Sequence, residues 1–90
     1  MEKNRKNIAD LARKIFELNS FLGRISYDEK GLMIWNKGFI PHIAVRIYPK
    51  HDIVYVSDRK YRGRARKFAE DYKREFLKES QHVTLKLDYN

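Results

Sequence analysis

The sequence predicts a two-layer α+β sandwich in the order α-β-β-β-β-α-β, an antiparallel sheet with two helices packed on one face. Three observations predict it. Apolar residues recur every three or four positions in two long segments, one near the start and one past the middle. Between those segments the apolar period shortens to two, punctuated by turn residues. A last alternating stretch follows the second helical segment.

The first helical segment runs from about Asn4 to Leu22. Ile8, Leu11, Ala12, Ile15, Leu18 and Leu22 form its apolar stripe, with Lys6, Arg13, Lys14 and Glu17 on the other side. Gly23 is placed to stop it. Arg24 to Asp28 and Leu32 to Asn36 then alternate as a hairpin, with Gly31 expected to supply a positive φ in the connection. Gly38 and Pro41 break the chain before a strand from His42 to Tyr48. There Ile43, Val45 and Ile47 are expected to face one way, and His42, Ala44, Arg46 and Tyr48 the other. Pro49 to Asp52 is a turn by composition, and Ile53 to Ser57 a short β-branched strand.

Ser57 or Asp58 is suited to cap a second helix, about Arg59 to Glu79. Its stripe is Tyr61, Ala65, Phe68, Ala69, Tyr72, Phe76 and Leu77. Gly63 weakens its start by about 1 kcal/mol relative to Ala, so the regular helix is expected to begin near that residue. His82 to Asp88 alternates as a terminal strand, suited to a sheet edge or to pairing with a second chain.

Ninety residues suit one domain, residues 1–90. The absence of Cys excludes disulfides and thiolate chemistry. Uncharged runs are too short to cross a bilayer, and no signal peptide is recognisable at the start. The expectation is therefore a cytoplasmic protein that does not engage membranes. Abundant Lys, Arg and Glu with one Gln follow the thermophile trend.

Charge is the feature that leans towards a function. The chain carries 20 Lys and Arg against 12 Asp and Glu, a net +8. Residues 1–14 hold five basic and two acidic groups, and residues 59–79 hold nine basic and four acidic; the rest is neutral in sum. The excess thus belongs to the two helical segments. Six of the nine residues from Arg59 to Lys67 are basic and none is acidic: Arg59, Lys60, Arg62, Arg64, Arg66 and Lys67. A helix start is already positive, so such a cluster there is unfavourable unless something anionic offsets it. Guanidinium groups match phosphate bidentately. Lys6 and Arg13 extend this surface if the helices lie side by side. The competing explanation is a solvated face in an ion-rich protein.

A second candidate is the sheet face away from the helices. His42, Arg46 and Tyr48 belong to it, with Trp35 or Tyr55, Arg24 and Lys86 added according to register. Rings interleaved with cations on an open sheet suit single-stranded nucleic acid. The same pattern suits a homodimer interface.

His42, His51 and His82 show no metal-ligand spacing, and no metal or cofactor is expected. His42 near Arg46 and Tyr48 is the one candidate general base, in a small basic ribonuclease. No phosphate loop, nucleophile elbow or carboxylate pair is present. The α-β-β-β-α stretch with its basic second helix is similar in outline to double-stranded RNA-binding domains. It differs by one extra strand, a strand after the helix, and Arg64 to Lys67 in place of their lysine run, so no family is assigned.

The resulting expectation is a non-catalytic nucleic-acid-binding homodimer. Its phosphate contacts come from Arg59, Lys60, Arg62, Arg64, Arg66, Lys67, Lys6 and Arg13, with Arg46, Tyr48 and Trp35 on the sheet. The alternatives are a small protein-interaction module of the phage or virus accessory type, docking an acidic partner surface, and a small basic ribonuclease.

Overall fold

The computed structural model describes residues 5–19, 23–36 and 38–88. The order is α1 (Arg5–Phe16), β1 (Gly23–Tyr27), β2 (Leu32–Asn36), β3 (His42–Tyr48), β4 (Ile53–Val56), a 3-10 turn (Arg59–Tyr61), α2 (Arg62–Phe76) and β5 (Thr84–Leu87). The five strands form one sheet in sequence order. The expected start of the first helix at Asn4, and its extension through residues 20–22, lie outside the described residues.

Strands β1 to β4 pair antiparallel, as the tight turns require. Strand β5 does not fit the expected all-antiparallel sheet: it joins β4 in parallel. The reason is the connection. Helix α2 carries the chain back across the helical layer to the end where β4 began, so a strand laid beside β4 must run the same way. The sheet is therefore mixed.

Both helices cover one face. Ile34, Val45, Val56, Leu32, Ile47 and Val54 point into the core against Ile8, Ala12 and Phe16 of α1 and Ala65, Phe68 and Tyr72 of α2, and all are buried. The C-terminal end of α1 meets the start of α2. Phe16 stacks at 6.0 Å from Tyr61 and 5.9 Å from Phe68, and Glu17 reaches Arg64 at 3.6 Å.

The first helix stops at Phe16, well before the expected Gly23. Glu17 takes a left-handed conformation with φ of 54°, and the Leu18 amide bonds the Arg13 carbonyl at 3.0 Å. This is a Schellman stop with Glu where Gly is usual. Gly23 serves the sheet instead. Its φ is 155°, and a Cβ there would collide with the Trp35 carbonyl on β2. Gly31 was expected to give a positive φ and does not. It is required for closeness, because a Cβ would run into the Ile47 carbonyl of β3. The turn itself is held by Asp28, whose Oδ1 accepts the Lys30 amide at 2.8 Å and the Gly31 amide at 2.9 Å.

Strand β3 contains one further departure. Ile34 of β2 pairs with Val45, but Trp35 pairs with Ile43, leaving Ala44 as a bulge. One extra residue reverses the alternation beyond it. Ile43 therefore does not share the core face of Val45 and Ile47, and pairs instead with Trp35 on the open face. Ala44 is buried, and its carbonyl accepts the Ser57 amide at 2.8 Å.

Candidate nucleic-acid interface

The open face follows from the register. Cross-strand partners share a face. One row runs Ser26, Met33, Arg46, Tyr55 and Lys86 across all five strands. On one side lies the row Arg24, Trp35 and Ile43, and on the other Tyr48, Ile53 and Thr84. Trp35 and Tyr55 thus stand together on this face with Arg24 and Lys86, where the sequence left their register open. Residues 43, 48, 53 and 55 remain only half-buried, and Arg46 is exposed.

Specific contacts set these side chains. The Trp35 indole Nε1 donates to Ser26 Oγ at 2.8 Å, which fixes the ring across β1. The Arg24 guanidinium lies over that ring, 4.6 Å from its centroid. Tyr48 and Tyr55 meet edge to face at 5.7 Å, and the Lys86 ammonium sits 5.6 Å from the Tyr55 centroid. A concavity of about 730 Å³ opens over the Tyr48–Tyr55 part of the sheet, lined by Lys30, Arg46, Tyr48, Lys50 and Tyr55 together with the carboxylates of Glu29 and Asp88. Two strand spacings put Trp35 and Tyr55 about 10 Å apart laterally. That leaves room for separate bases on each.

The residues expected from the helical segment lie on the other layer. Arg59 and Lys60 occupy the 3-10 turn, and Arg62, Arg64, Arg66 and Lys67 begin α2, all exposed. Some are engaged within the protein. Arg64 pairs with Glu17 at 3.6 Å, and Lys67 with Asp71 at 3.3 Å. Lys60 sits over Tyr61 at 5.2 Å. Arg13, which pairs with Asp10 at 3.5 Å, is in the last turn of α1, beside the start of α2. Lys6 lies two turns further back, about 10 Å along the axis. The fold therefore divides the expected residues: Trp35, Arg46 and Tyr48 on the open sheet, and the remainder on the helical layer.

One residue ties the two layers. Asp58 follows β4 by two residues and caps the 3-10 turn. Its Oδ1 accepts the Lys60 amide at 3.0 Å, while Oδ2 accepts His42 Nε2 at 3.1 Å and Asn36 Nδ2 at 3.3 Å. Burial pushes the Asp58 carboxyl up, but the Lys60 amide and the His42 ring outweigh it and hold it below the ordinary carboxylate value. The other ring nitrogen of His42, Nδ1, faces the Ile40 carbonyl at 3.4 Å. Both nitrogens of His42 are thus directed at oxygens, and the ring acts as a brace between β3, the β2–β3 loop and the cap.

The loop tip between β2 and β3 holds two residues outside the expected site. Phe39 and Ile40 are exposed, Phe39 fully. An apolar pair set between Gly38 and Pro41, where turn residues are usual, was the available signal.

Among the described residues no helix is long and apolar enough to cross a membrane, and no group of His, Asp or Glu is arranged to hold a metal ion. Comparisons with protein-family models, curated proteins and solved structures gave no match to this chain.

Proposed function

We propose that this chain is a non-catalytic nucleic-acid-binding domain that lays a single strand across the open face of its sheet. The observation that supports this most is the array of Trp35, Tyr48 and Tyr55 interleaved with Arg24, Arg46 and Lys86 on one sheet face, with a concavity at Arg46, Tyr48 and Tyr55. Each base stacked on such a ring contributes about 1–3 kcal/mol, whatever its identity. Arg46 stands on the strand between Trp35 and Tyr55, and Arg24 and Lys86 lie against those rings, so all three cations are within reach of the phosphates of a backbone linking stacked bases. A duplex keeps its bases paired inside and presents no flat surface to these rings, so the face suits an unpaired strand. The +5 segment from Arg59 to Glu79 adds a long-range field that draws a polyanion in.

The test is anisotropy of a labelled single-stranded oligonucleotide, in DNA and RNA forms. Three phosphate contacts on a single strand give a log–log salt slope of about −2, so a rise from 50 to 200 mM weakens binding roughly 20-fold. Arg46→Glu and Tyr55→Ala each weaken it further. Binding that survives both substitutions, or no binding to any oligonucleotide, contradicts the reading; the latter favours an acidic protein partner.

A further inference from the structure

Resting on that reading, we infer that the substrate is a junction between single strand and duplex, with the Phe39–Ile40 tip stacked against the terminal base pair. The open face ends at the pair formed by Trp35 and Ile43, and the chain between them is the loop that carries Phe39 and Ile40. A strand running off the face at Trp35 meets this tip next. Phe39 is fully exposed and Ile40 is 74% exposed, the two most exposed large apolar side chains in the described residues. Bare apolar side chains at a loop tip are costly to hydrate, and proteins use Phe and Ile in this way as wedges against base steps.

The tip is braced. Asn36 and His42, which bracket the loop, both bond Asp58, and His42 also reaches back to the Ile40 carbonyl. The brace sets the tip beside the basic segment as well, because Arg59 and Lys60 follow Asp58 directly and Arg62 opens α2. Rings for bases lie on one side of the tip, and cations for phosphates on the other. A junction has this layout: splayed bases along one arm, and a closed duplex that offers phosphates outside and one bare base pair at its end. The division of the basic and aromatic residues between two layers then has a purpose that neither surface has alone.

The test compares three fluorescein-labelled probes: a 12-nucleotide single strand, a blunt 12-base-pair duplex, and that duplex with a 6-nucleotide overhang. Wild type is expected to bind the overhang probe about tenfold tighter than either of the others, the equivalent of one stacked ring. Phe39→Ala is expected to remove that preference and leave single-strand affinity unchanged. Both side chains are exposed, so the variant folds, and circular dichroism verifies it. Equal affinity for overhang and single strand overturns the inference while leaving single-strand binding in place. Equal weakening of both by Phe39→Ala overturns it too. Binding to phosphatidylserine vesicles that Phe39→Ala abolishes, with the probe preference unchanged, assigns the tip to lipid and also overturns it. Loss of all oligonucleotide binding by wild type defeats the underlying reading instead.

Discussion

His42 Nε2 lies 3.1 Å from Asp58 Oδ2, joining the first residue of β3 to the residue that caps the second helical segment. The same carboxylate takes the Lys60 amide and the Asn36 amide group. A single aspartate thus closes the 3-10 turn, anchors a loop, and fixes how the helical layer meets the sheet.

Asp58→Ala removes a cap and two side-chain bonds together. Loss of the cap alone costs about 1 kcal/mol, within a range of about 0.5–2. The expected outcome is a lowered urea midpoint with an unchanged slope. Amide exchange should rise first at Lys60 and in the β2–β3 loop. A midpoint equal to wild type contradicts the role given to Asp58.

Acid should weaken the fold. The Asp58 and Asp71 carboxyls are both held below their ordinary value of 3.8. For Asp71, burial pushes up but is outweighed by Lys67 at 3.3 Å and Arg74 at 2.8 Å. A carboxyl whose folded value is depressed contributes stability that is present above its unfolded value. That contribution is lost as pH falls through the folded value. Thermal midpoints should therefore hold from neutral pH down to about 4 and drop below 3.8. Asp71→Asn should shrink the drop. A midpoint flat to pH 2 contradicts the sign.

Glu17 holds a left-handed φ of 54° that glycine adopts freely. Relieving it should stabilise the chain by about 1 kcal/mol. Its ion pair with Arg64 is exposed on both sides and subtracts little. Glu17→Gly is expected to raise the thermal midpoint; a fall shows that the ion pair matters more than the strain.

The sequence made much of this architecture legible, because periodicity is a direct image of burial. The stripe from Tyr61 to Phe76 and the β1–β2 hairpin could be read from spacing alone, although the hairpin's register could not. Three features could not. The parallel β5 depends on which edge a crossover reaches, and alternation looks the same in either direction. The Ala44 bulge leaves no compositional mark, yet it turns Ile43 away from the core. The stop at Glu17 uses a residue that elsewhere favours helix. The candidate site was half visible for the same reason. Arg59 to Lys67 stood out as a charge run, whereas the open-face array exists only once Arg24, Trp35, Arg46, Tyr55 and Lys86 are brought together from five strands. The bond from Trp35 to Ser26 is likewise a product of register.

Trp35 is the only tryptophan in the chain and lies on the open face, so its emission reports directly on that surface. Titration of the protein with a single-stranded oligonucleotide, followed at the tryptophan emission, is the most direct measure. Saturable quenching is expected as a base displaces or stacks upon the Arg24 guanidinium, weakened as salt rises and nearly lost in Arg46→Glu. Emission that stays constant while an independent assay shows the oligonucleotide bound would place the strand elsewhere and contradict the account.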